Sequence, residues 1–174
     1  MACSITITGR TLQCKDALGG IKQVYIGLYT GHDQYATPSG GTITDASASL
    51  NVYQFEVQQG SSSFTQTVSA STENGSVFYT QVLSLSFNKM AASDVAEIHD
   101  LNKSRLTVII EDKNSNYWVM GNRHGVEVTG GTFVSGQAAG DLNGATMELT
   151  AMEMMAAPAL GTLSGGNITF NAAS

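Results

Sequence analysis

Asp112, Asn114 and Asn116 stand at alternate positions, the spacing with which an acidic loop begins to wrap a calcium ion. The sixth position of that loop is Tyr117, where the turn needs glycine, and the twelfth is Arg123, where the ion needs a bidentate glutamate. The segment therefore reads as a polar turn. His32, His99 and His124 are far apart, with no His-x-x-x-His or Cys-x-x-Cys pairing among the residues, so a zinc site would have to be assembled from distant loops. They are expected at the surface or at an interface. The glycine pairs beginning at 19, 40, 130 and 165 lack the Lys-Ser/Thr of a phosphate loop and the Gly-x-Gly-x-x-Gly order of a dinucleotide site. No Gly-x-Ser-x-Gly elbow occurs, and nothing in the order of Ser, His and Asp assembles a triad. No catalytic residue, cofactor or metal is expected, and the chain does not read as an enzyme. Met147, Met152, Met154 and Met155 could bind a soft metal, but adaptable packing in a core or a subunit contact suits thioethers better. Tyr117 and Trp118 could offer a sugar-stacking platform, or simply supply core area from a strand.

Composition narrows the class further. The 174 residues carry 8 Lys and Arg against 14 Asp and Glu, a formal charge of −6, and only 13% are charged. Soluble domains typically carry about 25%, so the surface is neutral and rich in hydroxyls, which suits a subunit that meets other subunits. The basic residues are scattered singly, whereas tight nucleic-acid binding needs clustered cations to release phosphate counterions. The start of the chain has no basic, apolar leader, and no run of roughly 18 apolar residues occurs. Synthesis in the cytoplasm without membrane insertion is expected, with Cys3 and Cys14 as reduced thiols.

The elements that must position these residues are mostly strands. Residues 4–8 and 22–29 are rich in β-formers, and 30–48 holds Gly31, Asp33, Pro38, Gly40, Gly41 and Asp45, a long exposed loop with a short strand at 42–44. In 51–57, Tyr53, Phe55 and Val57 are expected to face inward. Residues 63–87 contain two long alternating runs around Glu-Asn-Gly-Ser (73–76), and Asn-Gly favours a two-residue type I′ turn. That turn would pair Ser71 with Phe78, Ser69 with Thr80, Thr67 with Val82, Thr65 with Ser84 and Ser63 with Ser86 on a hydroxyl face. The opposite face carries Phe64, Tyr79, Leu83 and Leu85. In 91–101, Val95, Ile98 and Leu101 fall three apart, with Ser93 or Asp94 as N-cap and Glu97 completing a capping box. A second hairpin is expected from 106–110 and 117–120, followed by strands at 126–128, 132–134 and 145–152. The trio Ile168, Thr169 and Phe170 reads as a strand in need of a partner.

Specific strings carry a resemblance: Cys-Ser-Ile-Thr-Ile-Thr-Gly-Arg (3–10), Lys-Asp-Ala-Leu-Gly-Gly-Ile-Lys (15–22), Thr-Glu-Asn-Gly-Ser (72–76), His-Gly-Val-Glu-Val-Thr-Gly-Gly-Thr (124–132) and the stretch 136–149. With the order of elements, they resemble the tail-tube (major tail) proteins of tailed bacteriophages, a fold shared with the tube protein of type VI secretion. The likeness runs from the start to about residue 158. It implies an all-β, sandwich- or barrel-like tail-tube fold over 1–174 with a long amphipathic β-hairpin and one flanking α-helix. The domain would carry an extended loop at 30–48 and a flexible or strand-adding tail at 156–174; the loop and the chain after Pro158, read as long, uncharged and poorly self-packed, are expected to bridge neighbouring rings. It further implies a virion structural protein, made and assembled in the host bacterial cytoplasm, forming stacked hexameric rings. Its partners would be itself, a tape-measure protein and tail-end proteins, with DNA passing non-specifically.

The resemblance and the pattern together assign a bore-lining face of Ser63, Thr65, Thr67, Ser69, Thr80, Ser84 and Ser86, which has no cation to grip a polyanion. Phe64, Tyr79, Leu83, Leu85, Met152 and Met154 are assigned to subunit packing. Two alternatives remain from the sequence: another phage virion ring, such as a head-to-tail joining or stopper protein, and a carbohydrate-binding β-sandwich using Tyr117 and Trp118.

Overall fold

The computed structural model describes residues 9–11, 15–58, 60–89, 91–138, 140–161 and 166–173. The expected strand at 4–8 and the thiols Cys3 and Cys14 lie outside them. Half of the chain is strand and 6% is helix, which makes the fold all-β with one flanking helix.

The strands form two sheets. The first runs through β1 (Ile21–Leu28), β2 (Thr42–Ile43), β3 (Leu50–Glu56), β6 (Leu106–Asp112), β7 (Tyr117–Met120), β10 (Ala159–Leu160) and β11 (Ile168–Asn171), in the spatial order β11-β3-β1-β6-β7-β10-β2. The second contains β4 (Ser63–Ser71), β5 (Ser76–Asn88), β8 (Glu127–Val134) and β9 (Gly144–Glu153), in the order β4-β5-β9-β8, every neighbouring pair antiparallel. The sheets pack face to face. Ile21, Val24, Ile26, Val108 and Ile110 of the first meet Leu83, Leu85, Met147 and Leu149 of the second in the main core.

The first sheet is covered on its other face too, and this explains its continuous apolar runs. Residues Leu106 to Glu111 of β6 are all buried, as expected for a strand with no wet side. The covering layer is the 30–48 segment with the C-terminal strands: Tyr35, Ile43, Ala46, Leu160 and Ile168 pack on Tyr25, Leu50, Val52, Ile109 and Val119. The expectation of an exposed loop at 30–48 is thus corrected. Its glycines and proline set the turns, but three apolar side chains anchor it. β10 pairs parallel to β2, and β11 pairs parallel to β3. The loop and the described part of the tail are therefore anchored within the subunit, which removes the premise of poor self-packing on which they were expected to bridge rings.

β3 also departs from expectation. Leu50 and Val52 are buried in the covering layer, Phe55 and Val57 belong to the main core, and Tyr53 is 54% exposed. Phe55 and Val57 therefore face inward as expected and Tyr53 does not, while the alternate residues are buried as well because the strand is covered on both faces.

The hairpin β4–β5 forms with the expected faces but a different register. Thr67 lies opposite Thr80 and Ser71 opposite Ser76, so four residues, Thr72 to Gly75, make the turn in place of two. Gly75 takes φ +60°, the left-handed conformation that glycine adopts without Cβ strain. A shift of two positions keeps every side chain on its side, because the strand period is two. β8 is one strand where two were expected: a bulge at Thr129, between Val128 and Gly130, absorbs the glycines. At Gly144 a Cβ would sit 1.9 Å from the carbonyl oxygen of Phe87, so only glycine lets β9 run this close to β5.

Helix α1 (Ala92–Leu101) flanks the core with Ile98 buried, while Val95 is 45% exposed. Its N-cap is Ala91, not Ser93 or Asp94. Asp94 is the third helical residue, and its Oδ2 accepts the Ala91 N–H at 2.9 Å. The acidic residue thus caps from inside the first turn, where it also meets the positive end of the helix dipole. The second hairpin, β6–β7, pairs Val108 with Met120 and Ile110 with Trp118.

Candidate functional site

The second sheet presents a broad face away from the core. β5 contributes Thr80, Val82 and Ser84, β4 contributes Ser63, Thr65, Thr67, Ser69 and Ser71, and β9 adds Thr146, Glu148, Thr150 and Met152 by register with β5. β8 extends it with Glu127, Thr129, Gly130 and Thr132. None of the four strands contains a lysine or arginine. Hydroxyls satisfy each other across the strands: Thr132 with Thr146 at 2.7 Å, and Thr129 with Thr150 at 3.0 Å. Such pairing keeps side chains short and neutral at the surface. At the margin of the face, Arg105 pairs with Glu127 at 2.8 Å.

Of the residues expected on this face, Ser63, Thr65 and Thr67 are exposed, and Ser69, Thr80 and Ser84 are half-buried. Ser86 is buried, so it does not belong to the open surface. The turn before β4 closes on it: Gln58 N–H donates to the Ser86 carbonyl, and Ser86 N–H donates to Ser62 Oγ. The contribution of β8 and β9 was not legible, because the strand order that brings threonines 60 positions away alongside β5 follows from no local pattern.

Among the packing residues, Leu83 and Leu85 are fully buried and Phe64 packs against the main core. Tyr79 is half-buried at the last position where β5 meets β9. Met152 and Met154 are 62% and 69% exposed, whereas Met147 is in the core. The first two are not core residues of this subunit. Beyond Tyr79 the hairpin runs on as a two-stranded ribbon, carrying exposed Val68, Val77 and Phe78. This apolar end has no cover within the subunit among the described residues.

Among the described residues, the outer strands of the sheet, β4 and β8, each pair on one side only, which leaves two edges on opposite sides. A nine-residue edge strand and an eight-residue one are long for a soluble monomer, which normally blunts its edges.

The other sequence candidates resolve differently. Trp118 packs toward the main core and Tyr117 toward the covering layer, so they lie on opposite faces of β7 and form no stacking platform. Asp112 accepts the backbone N–H groups of Asn114 and Asn116 and the side-chain N–H of Asn116, all within 2.9 Å. Burial pushes its carboxyl up, but these bonds outweigh it and hold the group below the ordinary value. Its oxygens close a turn, and among the described residues no group of three or more His, Cys, Asp and Glu is arranged to hold a metal.

Two carboxylates are buried. Glu111 binds Lys22 Nζ at 2.6 Å and accepts from Gln23, and burial together with its charge raises the hydroxyl pKa of Tyr25, and that of Tyr117 to about 12. Glu153 accepts the backbone N–H groups of Arg123 and His124 at 2.9 and 2.8 Å, and its other oxygen lies 3.0 Å from His124 Nδ1. The His124 ring in turn meets that of His32, 92 positions earlier, with centroids 6.1 Å apart. His99 remains exposed on α1.

Among the described residues, no helix is long and apolar enough to cross a membrane. Comparison with known protein families, curated proteins and solved structures found no match to this chain.

Proposed function

We propose that this chain is a structural subunit of a bacteriophage tail tube, closing into rings that stack around a bore through which genome DNA passes. The observation that carries the reading is the four-stranded sheet whose outer strands, β4 and β8, are edges on opposite sides among the described residues, together with its cation-free hydroxyl face. Because the number of strands is even and all pairs are antiparallel, β4 of one copy set beside β8 of the next continues the alternation without a break. That contact is head-to-tail. Repeated with a rotation that closes, it gives a ring and removes every edge from the inner sheet.

The face away from the core would then line the bore. A passing polyanion meets threonine and serine hydroxyls, with Glu148 to repel it and no Lys or Arg on the strands to hold it. The apolar ribbon end with Val68, Val77 and Phe78, beside exposed Met152 and Met154, supplies a surface for the next ring. The resemblance noted in the sequence supports six-fold order, a tape-measure protein in the growing tube, tail-end proteins as partners, and a place in the virion tail.

Negative-stain electron microscopy of the purified chain, with light scattering on the same sample, tests this. Stacked rings with a central bore are expected. Single rings that never stack would favour a head-to-tail joining or stopper protein, and a monodisperse monomer near 18.2 kDa would overturn the reading.

A further inference from the structure

We propose that His32 and His124 form a two-histidine site for a divalent transition-metal ion of the zinc, nickel or copper class. The two rings come from separate elements that only the fold brings together. His32 lies on the 30–48 segment, within a turn closed by the Gln34 N–H on the Gly31 carbonyl at 3.2 Å. His124 lies in the tight connection from β7 to β8, where Gly121 and Gly125 take φ +68° and +77° and the Gly125 N–H bonds the Gly121 carbonyl. The Tyr29 hydroxyl donates to the Arg123 carbonyl and ties this connection to the residue that follows β1. Both supports are thus fixed by hydrogen bonds.

The rings stand nearly perpendicular, at 85°, with centroids 6.1 Å apart, and both side chains are half exposed. Two imidazoles sharing one ion, with metal to nitrogen distances of about 2.1 Å, place their ring centroids roughly 5–6 Å apart. Binding would turn both side chains until each Nε2 faces the shared ion.

The protonation pattern also suits a ligand pair. His124 Nδ1 lies 3.0 Å from Glu153 Oε2, and His32 Nδ1 lies 3.2 Å from Asp33 Oδ1. A carboxylate at Nδ1 holds the ring proton there in the neutral imidazole, which leaves Nε2 with its lone pair free. This is the carboxylate–histidine arrangement that orients metal-binding imidazoles and raises their basicity. Glu153 is well made for it: its side chain is 1% exposed, and the backbone N–H groups of Arg123 and His124 fix its other oxygen. Neutral nitrogen donors select zinc, nickel or copper over calcium or magnesium. Water completes the coordination shell. A bound ion would clamp the 30–48 segment to the start of β8, at one end of the second sheet.

Titration of the full chain with zinc or nickel chloride at neutral pH, followed by calorimetry, tests the site. One saturable ion per chain is expected, and with copper the electron paramagnetic resonance spectrum should show coupling to two imidazole nitrogens. His32→Ala, at an exposed position, should lower affinity at least about 10-fold, and Glu153→Gln should lower it about 10- to 100-fold. Far-UV circular dichroism of each variant establishes that it is folded, and His32→Ala decides the matter if Glu153→Gln is not. Absence of saturable binding would overturn the proposal. So would affinity retained in the His32→Ala/His124→Ala double variant, since the ion would then be held elsewhere.

Discussion

The carboxylate of Asp45 accepts the backbone N–H of Asn167 through both oxygens, at 2.8 and 2.9 Å. This contact spans 122 positions and locks the last strand to the covering segment, with the Asn167 side chain reaching the Ala46 carbonyl at 2.8 Å. The same carboxylate lies where a Cβ at residue 166 would sit, so a larger residue there would have to push the Asp45 side chain off these bonds. Covering segment and tail therefore behave as one layer over the first sheet.

Asp45→Ala should loosen that layer. A hydrogen bond to a charged acceptor contributes about 1.5–3 kcal/mol, and partial exposure places this one at the low end, so a loss of ~1.5 kcal/mol is expected by urea denaturation. Hydrogen exchange should speed up first in β11. An unchanged midpoint and unchanged exchange would show that the tail is held by its apolar anchors alone.

Gln81 is a buried polar residue in the middle of β5, and its Oε1 accepts the Gly121 N–H at 3.1 Å. Replacing it with leucine conserves volume but orphans that N–H in the core. Gln81→Leu should therefore cost about 1–3 kcal/mol, even though it adds apolar surface. A neutral or stabilising result in equilibrium denaturation would mean that the connection reshapes to find another acceptor.

The lowered carboxyl pKa of Asp112 makes the β6–β7 turn sensitive to acid. A carboxyl depressed in the folded state contributes stability that is present above its unfolded value and lost as pH falls through the folded one. The advantage of the natural protein over Asp112→Asn should thus be constant at neutral pH and vanish as pH drops below the ordinary value of 3.8. Thermal melts of both proteins across that range check it, and an advantage that persists in strong acid would contradict the assignment.

Val77 and Phe78 test the assembly reading without touching the core. Both are exposed near the ribbon end, so Val77→Asp with Phe78→Asp should leave stability of the single subunit within about 0.5 kcal/mol. Polymer length by electron microscopy should fall sharply while single rings persist. Tubes of normal length would move the ring-to-ring contact away from the hairpin.

Local pattern alone determined a good deal of this protein. Alternation in 63–87 and 144–153 defines which side chains share a face, and that survives a register shift of two because strand side chains repeat every two residues. The three-residue spacing of Val95, Ile98 and Leu101 locates α1, and the polar run after Glu111 locates the turn of the second hairpin. These are short-range properties, set by backbone sterics and the nearest neighbours.

Only the tertiary structure decided the rest. Strand order places Thr146 and Thr150 beside β5, and it leaves β4 and β8 as the outer strands of their sheet among the described residues. Packing over the first sheet turns an apparent loop into a layer anchored by Tyr35 and Ile43, a burial that its turn residues conceal. The meeting of His32 with His124 arises because segments 92 positions apart pack at one end of the sandwich, and Glu153 reaches His124 across 29 positions, whereas Asp33 is simply the neighbour of His32 in the chain. Contacts of that range are chosen by the free energy of the whole core, since each depends on surfaces that exist only once both sheets have closed on one another.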